Sequence, residues 1–229
     1  MNLLAFDTST DMLSIALMAG ASTFSYHERV GTRASDLILP QIHALLNQSN
    51  IQLKDLHGIA YGTGPGAFTG VRIACGVAQG LAFGLNLPVV GVNTLHALAQ
   101  ASEAQKVIVC QDARMGEIYF AALEQQGEGW HETLATALHK PGELPEVSGA
   151  GWVGVGSAWA AYGDALQARY HKALRAVDAQ AAPDARAILQ LALPLFRDGK
   201  TQPASEAKPL YIRNRVALTT QEREQGQKL

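Results

Sequence analysis

Residues Gly58 to Gly91, GIAYGTGPGAFTGVRIACGVAQGLAFGLNLPVVG, constrain this chain more than any other stretch. An apolar run, Gly58 to Tyr61, leads into a loop with glycines at Gly62, Gly64 and Gly66. A helix of small residues follows, and then a second apolar run at Pro88 to Val92. The order is strand, loop, helix, strand. Glycines at alternating loop positions permit positive φ and leave backbone N–H groups free to converge on an anion, or let the loop pack tightly beneath another backbone. Spacing alone favours the tight turn, since the pattern G-x-x-x-x-G-K-[ST] is absent and no lysine follows.

The helix is the more informative part. Thr69 is the expected N-cap, and from Ile73 to Leu85 only Cys75 and Gln79 interrupt apolar and small residues, so little of its surface suits water. Gly76, Gly80 and Gly84 recur every fourth residue and form one smooth face that another helix backbone can approach closely. Each mid-helix glycine costs about 0.5–1 kcal/mol against alanine, so close packing must offset it. Either a neighbouring helix of the same chain or a partner lies there.

The chain of 229 residues is long enough to bury roughly 70% of its unfolded surface in one large domain or two small lobes. It is 48% hydrophobic, has no apolar run of membrane-spanning length, and starts on the polar Met1-Asn2. The expectation is a soluble, cytoplasmic protein without signal peptide or membrane span. Cys75 and Cys110 fall in apolar surroundings and read as reduced, buried thiols. A net charge of −2 gives no electrostatic reason for strong nucleic-acid binding by the chain alone.

In chain order, Leu3–Phe6 and Leu13–Met18 are strands of a hairpin whose tip is Asp7-Thr8-Ser9-Thr10, and Thr23–Arg29 continues the meander. The tip reads two ways. Its hydroxyls and carboxylate can hold phosphate or a metal-bound water, with Asp7, Thr8, Ser9, Gly64 and Gly66 as the candidate nucleotide or phosphate loop, or they cap the turn. A helix from Ser35, its N-cap, to Gln48 carries Leu39, Ile42, Leu45 and Leu46 as apolar stripe, with Pro40 expected to bend it. The first half is thus βββαβαβ. Thr94–Gln100 starts a helix, and Glu103–Lys106 marks a lobe boundary, giving lobes at 1–103 and 104–229.

The second half begins again with strands, Val107–Cys110 pairing with Ile118–Leu123 across a loop whose Asp112, Arg114 and Glu117 read as surface ion pairs rather than an acid/base cluster. Further elements are a helix at Thr133–His139, a strand at Trp152–Val155, and helices at Ala158–Arg169 and Asp184–Phe196. Ile188, Leu191, Leu195 and Phe196 form the apolar side of the last helix, and Gly199–Pro209 is a linker. Leu210–Val216 carries Arg213, Asn214 and Arg215, and with Arg223 and Lys228 it makes a locally basic, flexible tail, read as solvated. Of the seven histidines, no pair has the i, i+4 spacing of a helical metal site, so no metal is expected.

LLAFDTSTDMLSIAL, AYGTGPGAFTGVRIACGVAQGLA, VVGVN, QDARMGEIY and PLYIRNRVA together resemble the TsaB family, also called YeaZ, of tRNA threonylcarbamoyladenosine biosynthesis proteins. The resemblance implies an α/β chain of the actin-like, sugar-kinase and Hsp70-like ATPase fold, with two lobes each built on a mixed β-sheet with helices. In the catalytic relative TsaD, the segment after the equivalent of VVGVN supplies two metal-binding histidines at i, i+4. Here those places fall on Thr94 and Leu98, with His96 off register between them, so the comparison removes the metal site.

The resemblance then implies a chain with no catalytic residues of its own. It would be a subunit that binds and activates a TsaD-like transferase with the ATPase TsaE, for modification of the adenosine beside the anticodon of ANN-decoding tRNAs. Family members pair through the first two helices, which makes Leu39, Ile42, Leu46, Ile73, Gly76, Gln79, Gly80, Phe83 and Gly84 the expected partner interface. The same surface permits a homodimer in isolation. No tightly bound cofactor is implied, only a weakly held nucleotide at a complex interface, with tRNA reached through the complex and no membrane partner. The alternatives are an ATP-dependent small-molecule phosphotransferase of the same fold, whose second-lobe loop would be Gly154-Val155-Gly156-Ser157, or a glycoprotease-like peptidase.

Overall fold

The structure is a computed structural model that describes residues 1–127 and 129–213. Asn214, Arg215, Arg223, Lys228 and the last ten residues of the expected tail lie outside the described residues. The first half forms β1 (Asn2–Asp7), β2 (Met12–Ala19), β3 (Ser22–Arg29), α1 (Ala34–Ser49), β4 (Gly58–Gly64), α2 (Phe68–Leu85), β5 (Val89–Asn93) and α3 (Thr94–Ala101). The second forms β6 (Lys106–Arg114), β7 (Glu117–Gln126), β8 (Gly129–His139), β9 (Trp152–Val155), α4 (Ala158–Ala161), α5 (Gly163–Tyr170), β10 (Leu174–Asp178) and α6 (Ala185–Arg197).

Two five-stranded mixed sheets result, in the orders β3-β2-β1-β4-β5 and β10-β9-β6-β7-β8. The second repeats the first: an antiparallel meander (β6, β7, β8) corresponds to β1, β2, β3, and β9 and β10 add in parallel as β4 and β5 do. The central strands are buried on both faces, which explains their unbroken apolar sequence. Leu4 and Phe6 of β1 join the core under α1 and α2, whereas Leu3 and Ala5 face α6. In β6, Val107 and Val109 meet α3, and Ile108 and Cys110 meet α4 and α5. The helix α3 lies between the sheets, sending Ala97 to the first and Leu95 and Leu98 to the second.

Several expectations are corrected. Thr133–His139 is not a helix but the end of β8, a strand laddered to β7 from Gln126↔Gly129 to Ile118↔His139. Its side chains alternate between half-buried Trp130, Glu132 and Leu134 and exposed His131, Thr133 and Ala135. Cross-strand pairing outweighs the helical preference of Leu and Ala there. Ala158–Arg169 is broken into α4 and α5 at Tyr162, just before Gly163. Gly62 and Gly64 belong to β4, not to a loop. Neither Ser35 nor Thr69 caps a helix: the N-caps are Arg33 and Ala67, without side-chain caps. The strand β10 has mostly exposed residues, so no apolar pattern announced it.

The end of the chain returns to the first sheet. Along α6, Ala185, Ile188, Leu189, Ala192 and Phe196 pack on β1, β2, β4 and β5, with Leu191 and Leu195 only partly buried. The expected linker is a strap instead. Gln202 pairs with Val89 through N–H to O bonds of 2.8 and 2.9 Å, adding a bridge to the edge of β5. Ala204 and Ala207 are buried with α1 and α2 in the first core. Gln79 of α2 donates to Ala207 O at 2.8 Å, and Lys208 N–H donates to the Tyr61 hydroxyl at 2.9 Å.

Ile188→Ala is expected to cost about 2–5 kcal/mol, measured by urea denaturation. It should speed amide hydrogen exchange in β1 and β4 before β6, β7 and β8; simultaneous loss of protection in both sheets would contradict the local role given to α6.

Candidate functional site

At the carboxyl end of β1, Asp7, Thr8 and Ser9 are each 1% exposed. Asp7 Oδ1 accepts the Ser9 N–H at 2.8 Å and the Ser9 hydroxyl at 2.7 Å. Its Oδ2 accepts the Thr94 hydroxyl at 3.2 Å, and that hydroxyl in turn accepts the Gly64 N–H at 3.1 Å. Thr8 Oγ1 donates to Gly70 O at 2.7 Å. Burial pushes the Asp7 carboxyl above its ordinary range, and the bonds from Ser9 and Thr94 only partly counter this. These groups are spent on one another.

The glycines explain the closure. A Cβ at Gly62 would overlap the Asp7 carboxyl, one at Gly70 would overlap Thr8 O, and one at Gly66 would lie 2.5 Å from Ser9 O. At Gly64 the backbone has φ +96°, open to few residues but glycine. The candidate loop of Asp7, Thr8, Ser9, Gly64 and Gly66 is therefore a packed knot between β1, β4 and the first turn of α2. Gly62, already among the loop glycines of the sequence reading, belongs to it, and so do Gly70 and Thr94, which that reading does not assign to this role. In the second lobe, a Cβ at Gly154 would strike the Trp159 ring, one at Gly156 would lie 2.6 Å from Cys110 O, and Ser157 Oγ accepts the Asp112 N–H at 3.1 Å.

Thr94 and Leu98 are both fully buried, Thr94 in the knot and Leu98 in the core beneath the second sheet. His96 Nε2 lies 2.7 Å from Glu132 Oε1, joining α3 to β8. Among the described residues, no group of three His, Cys, Asp or Glu side chains could hold a metal ion. Cys75 and Cys110 are free and buried, and burial pushes both thiols up, the wrong direction for a nucleophile. A Ser–His hydrogen bond exists between Ser14 Oγ and His27 Nδ1 at 2.9 Å, but Ser14 is 1% exposed and its hydroxyl accepts the Ala185 N–H at 2.8 Å. It secures the start of α6 and lies out of reach of a substrate. Asp112, Arg114 and Glu117 make ion pairs: Arg114 with Asp112 at 3.7 Å, and Glu117 with Arg213 at 2.5 Å.

The open chemistry lies on α2. By length and composition this helix could cross a membrane, yet Ala74, Ala78 and Ala82 pack on the first sheet. On its outer side, among the described residues and apart from the helix's own backbone, no atom lies within 4 Å of a Cβ built at Gly76, Gly80 or Gly84. Phe83 is 82% exposed, and Leu39 of α1 is 52% exposed. Phe83 borders an open cleft of about 700 Å³ formed with Pro88 and Pro203. Of the expected interface, Leu39, Gly76, Gly80, Phe83 and Gly84 thus reach solvent. Ile42 and Leu46 face the chain's own core, Ile73 packs partly against it, and Gln79 is tied to the strap. The apolar stripe of α1 runs through Ala34, Ile38, Ile42, Leu45 and Leu46, which turns Leu39 outward.

Gly70→Ala is expected to destabilise the chain by about 1–3 kcal/mol or more, because the new methyl must displace backbone. For Asp7 the folded chain holds the proton more tightly than the unfolded chain. Its contribution is therefore full below the ordinary carboxylate range and declines as pH rises toward the raised native value. The stability of wild type minus that of Asp7→Asn should be larger near about pH 4 than near pH 7. Denaturation at both pH values checks this, and a constant difference would contradict it.

A family model described as "TsaD: tRNA N6-adenosine threonylcarbamoyltransferase" matches residues 28–220. The tRNA threonylcarbamoyladenosine biosynthesis protein TsaB of Escherichia coli is 38% identical over 226 residues, covering 95% of this chain and 96% of that protein. TsaB of Haemophilus influenzae is 35% identical over 229 residues, covering 94% and 95%. A solved structure of YeaZ from Pseudomonas aeruginosa superposes with a TM-score of 0.83 at 35% identity, covering 92% of this chain and 99% of that one. Another, described as an uncharacterized protein with similarity to peptidase YEAZ from Pseudomonas aeruginosa, gives 0.86 at 36%, covering 93% and 99%. With the family model matching most of its length and TsaB relatives matching nearly all of it, the chain belongs to the TsaB (YeaZ) family, within the wider family of TsaD.

Proposed function

We propose that this chain is a non-catalytic subunit in tRNA threonylcarbamoyladenosine biosynthesis, working in the cytoplasm by docking a TsaD-like transferase and activating it together with a TsaE-like ATPase. The observation that carries this reading is the outer face of α2. An apolar helix offers solvent three open glycines in register, flanked by the exposed Phe83 and Leu39. Such a face is costly to leave in water and suits the close approach of another helix. The strand ends where a ligand sits in open α/β sheets are filled by the chain's own side chains and glycine contacts, which agrees with a role carried by a surface. The same face accounts for a homodimer when the transferase is absent.

The reading is tested by threonylcarbamoylation of tRNA in a mixture of TsaD, TsaE, threonylcarbamoyl-adenylate and ATP, with this chain present, omitted, or alone. Modification is expected only when this chain and TsaD are both present. Modification by this chain alone overturns the proposal. Gly80→Leu separates docking from folding. Among the described residues a Cβ at this position meets nothing within 4 Å outside the helix's own backbone, and exchanging an exposed helical glycine should if anything stabilise the chain, by about 0.5–1 kcal/mol. Binding to the transferase should fall by about tenfold or more, since the smooth face is gone. Unchanged binding, measured by titration calorimetry, would remove α2 from the interface.

A further inference from the structure

The side chain of Arg72 is held on an aromatic seat assembled from two distant parts of the chain. Its Nε–H donates to the Tyr211 hydroxyl at 2.6 Å. Its guanidinium lies 3.8 Å from the Phe68 ring centroid and 5.6 Å from that of Tyr211, and the two ring centroids are 6.0 Å apart. Tyr211 is placed by the strap, whose Leu210 N–H donates to Thr63 O at 2.8 Å one residue earlier. The cluster does not serve the core, because Phe68 is 42% exposed, Tyr211 is 48% exposed, and Arg72 is exposed as well.

Its position along α2 gives it a use. Phe68, Arg72, Gly76, Gly80 and Gly84 follow one another at intervals of four and are all exposed, so they form one inclined row that winds over the outer side of the helix, turning about 40° per step. Arg72 is the only charged residue of that row and stands in the second turn of the helix. With Nε given to Tyr211, the donors that remain are Nη1 and Nη2, which have no hydrogen-bond partner among the described residues. That leaves the end-on fork, which matches the two oxygens of a carboxylate. Stacking holds the fork in place before anything binds, so less side-chain freedom is lost on association.

We propose that Arg72, fixed by Phe68 and Tyr211, is the charged anchor of the α2 surface and takes a carboxylate of the transferase end-on. This rests on the docking reading above and adds the chemistry that the partner must bring. A second copy of this chain is the poorer occupant: the same row on its α2 reads Phe, Arg, Gly, Gly, Gly and offers no acid.

The test is titration calorimetry of the full chain against the TsaD-like transferase of the same organism at low and high salt. Arg72→Gln should weaken binding by about tenfold or more and flatten its salt dependence. Arg72→Lys should restore the salt dependence but not the affinity, and Tyr211→Phe should weaken binding several-fold, all with an unchanged thermal midpoint. Wild-type affinity in Arg72→Gln alongside loss in Gly80→Leu overturns the anchor and leaves the docking surface standing. Full rescue by lysine overturns the fork. Failure of the wild-type chain to bind the transferase, or indifference of binding to both Arg72→Gln and Gly80→Leu, overturns the anchor together with the docking reading. Transferase binding that is kept in Arg72→Gln while only self-association is lost assigns the arginine to the homodimer and overturns its role toward the transferase.

Discussion

The position of α2 is set by one backbone approach. Thr8 O comes so close to Gly70 that no side chain larger than hydrogen fits, and Thr8 Oγ1 binds Gly70 O from the same side. The hairpin tip and the first turn of the helix are thereby pinned together. Ala67 N–H adds a bond to Ser9 O at 2.7 Å. With that end fixed, the alanines at 74, 78 and 82 must lie on the sheet and the glycines at 76, 80 and 84 must point outward. The buried carboxyl of Asp7 is the cost of this joint, offset by three donors that it accepts from Ser9 and Thr94.

The glycines of this chain divide into two kinds that look alike in sequence. Gly62, Gly66 and Gly70 permit contacts inside the chain, and any Cβ there collides with a neighbour. Gly76, Gly80 and Gly84 meet nothing within 4 Å. Together the second kind costs the isolated helix roughly 1.5–3 kcal/mol relative to alanine, and no packing among the described residues offsets it. On the docking reading proposed above, association through that face would supply the missing compensation. The strap adds a second device on the same surface, because the stretch read as a linker, Gly199–Pro209, leads Tyr211 back to Arg72.

The legibility of the fold followed burial. Strands buried on both faces, β1, β4, β5 and β6, were plain as short apolar runs, and α6 was plain from its stripe. The strands β8 and β10 sit at sheet edges, where exposed residues such as Thr133 and Arg175 leave a weak apolar pattern and pairing to β7 or β9 decides the outcome. Of the site, the smoothness of the glycine line was legible because it depends on i, i+4 spacing alone. Which neighbours share the outer face was not: Leu39 and Ile42 are three apart on α1, yet one is open and the other buried. Thr94 and Tyr211 join Asp7 and Arg72 across 87 and 139 residues of chain, separations that no local pattern encodes.

The repeated lobes sharpen the contrast between interior and surface. In the first, the mouth between the parallel strands β1 and β4 is closed by Asp7, Ser9 and Thr94. In the second, the corresponding mouth between β6 and β9 is closed by Gly156 against Cys110 O and by Ser157 against Asp112. Open α/β sheets place their ligands at such strand ends. Here the first mouth holds side chains bonded to one another, and the second is narrowed by the Gly156 contact and the Ser157–Asp112 bond. Opening the first mouth to a ligand would require its buried bonds to be broken, at about 1–3 kcal/mol for each polar group left unpaired. Binding a partner on α2 asks for no such rearrangement, since that face is open and its charged residue is already held in place.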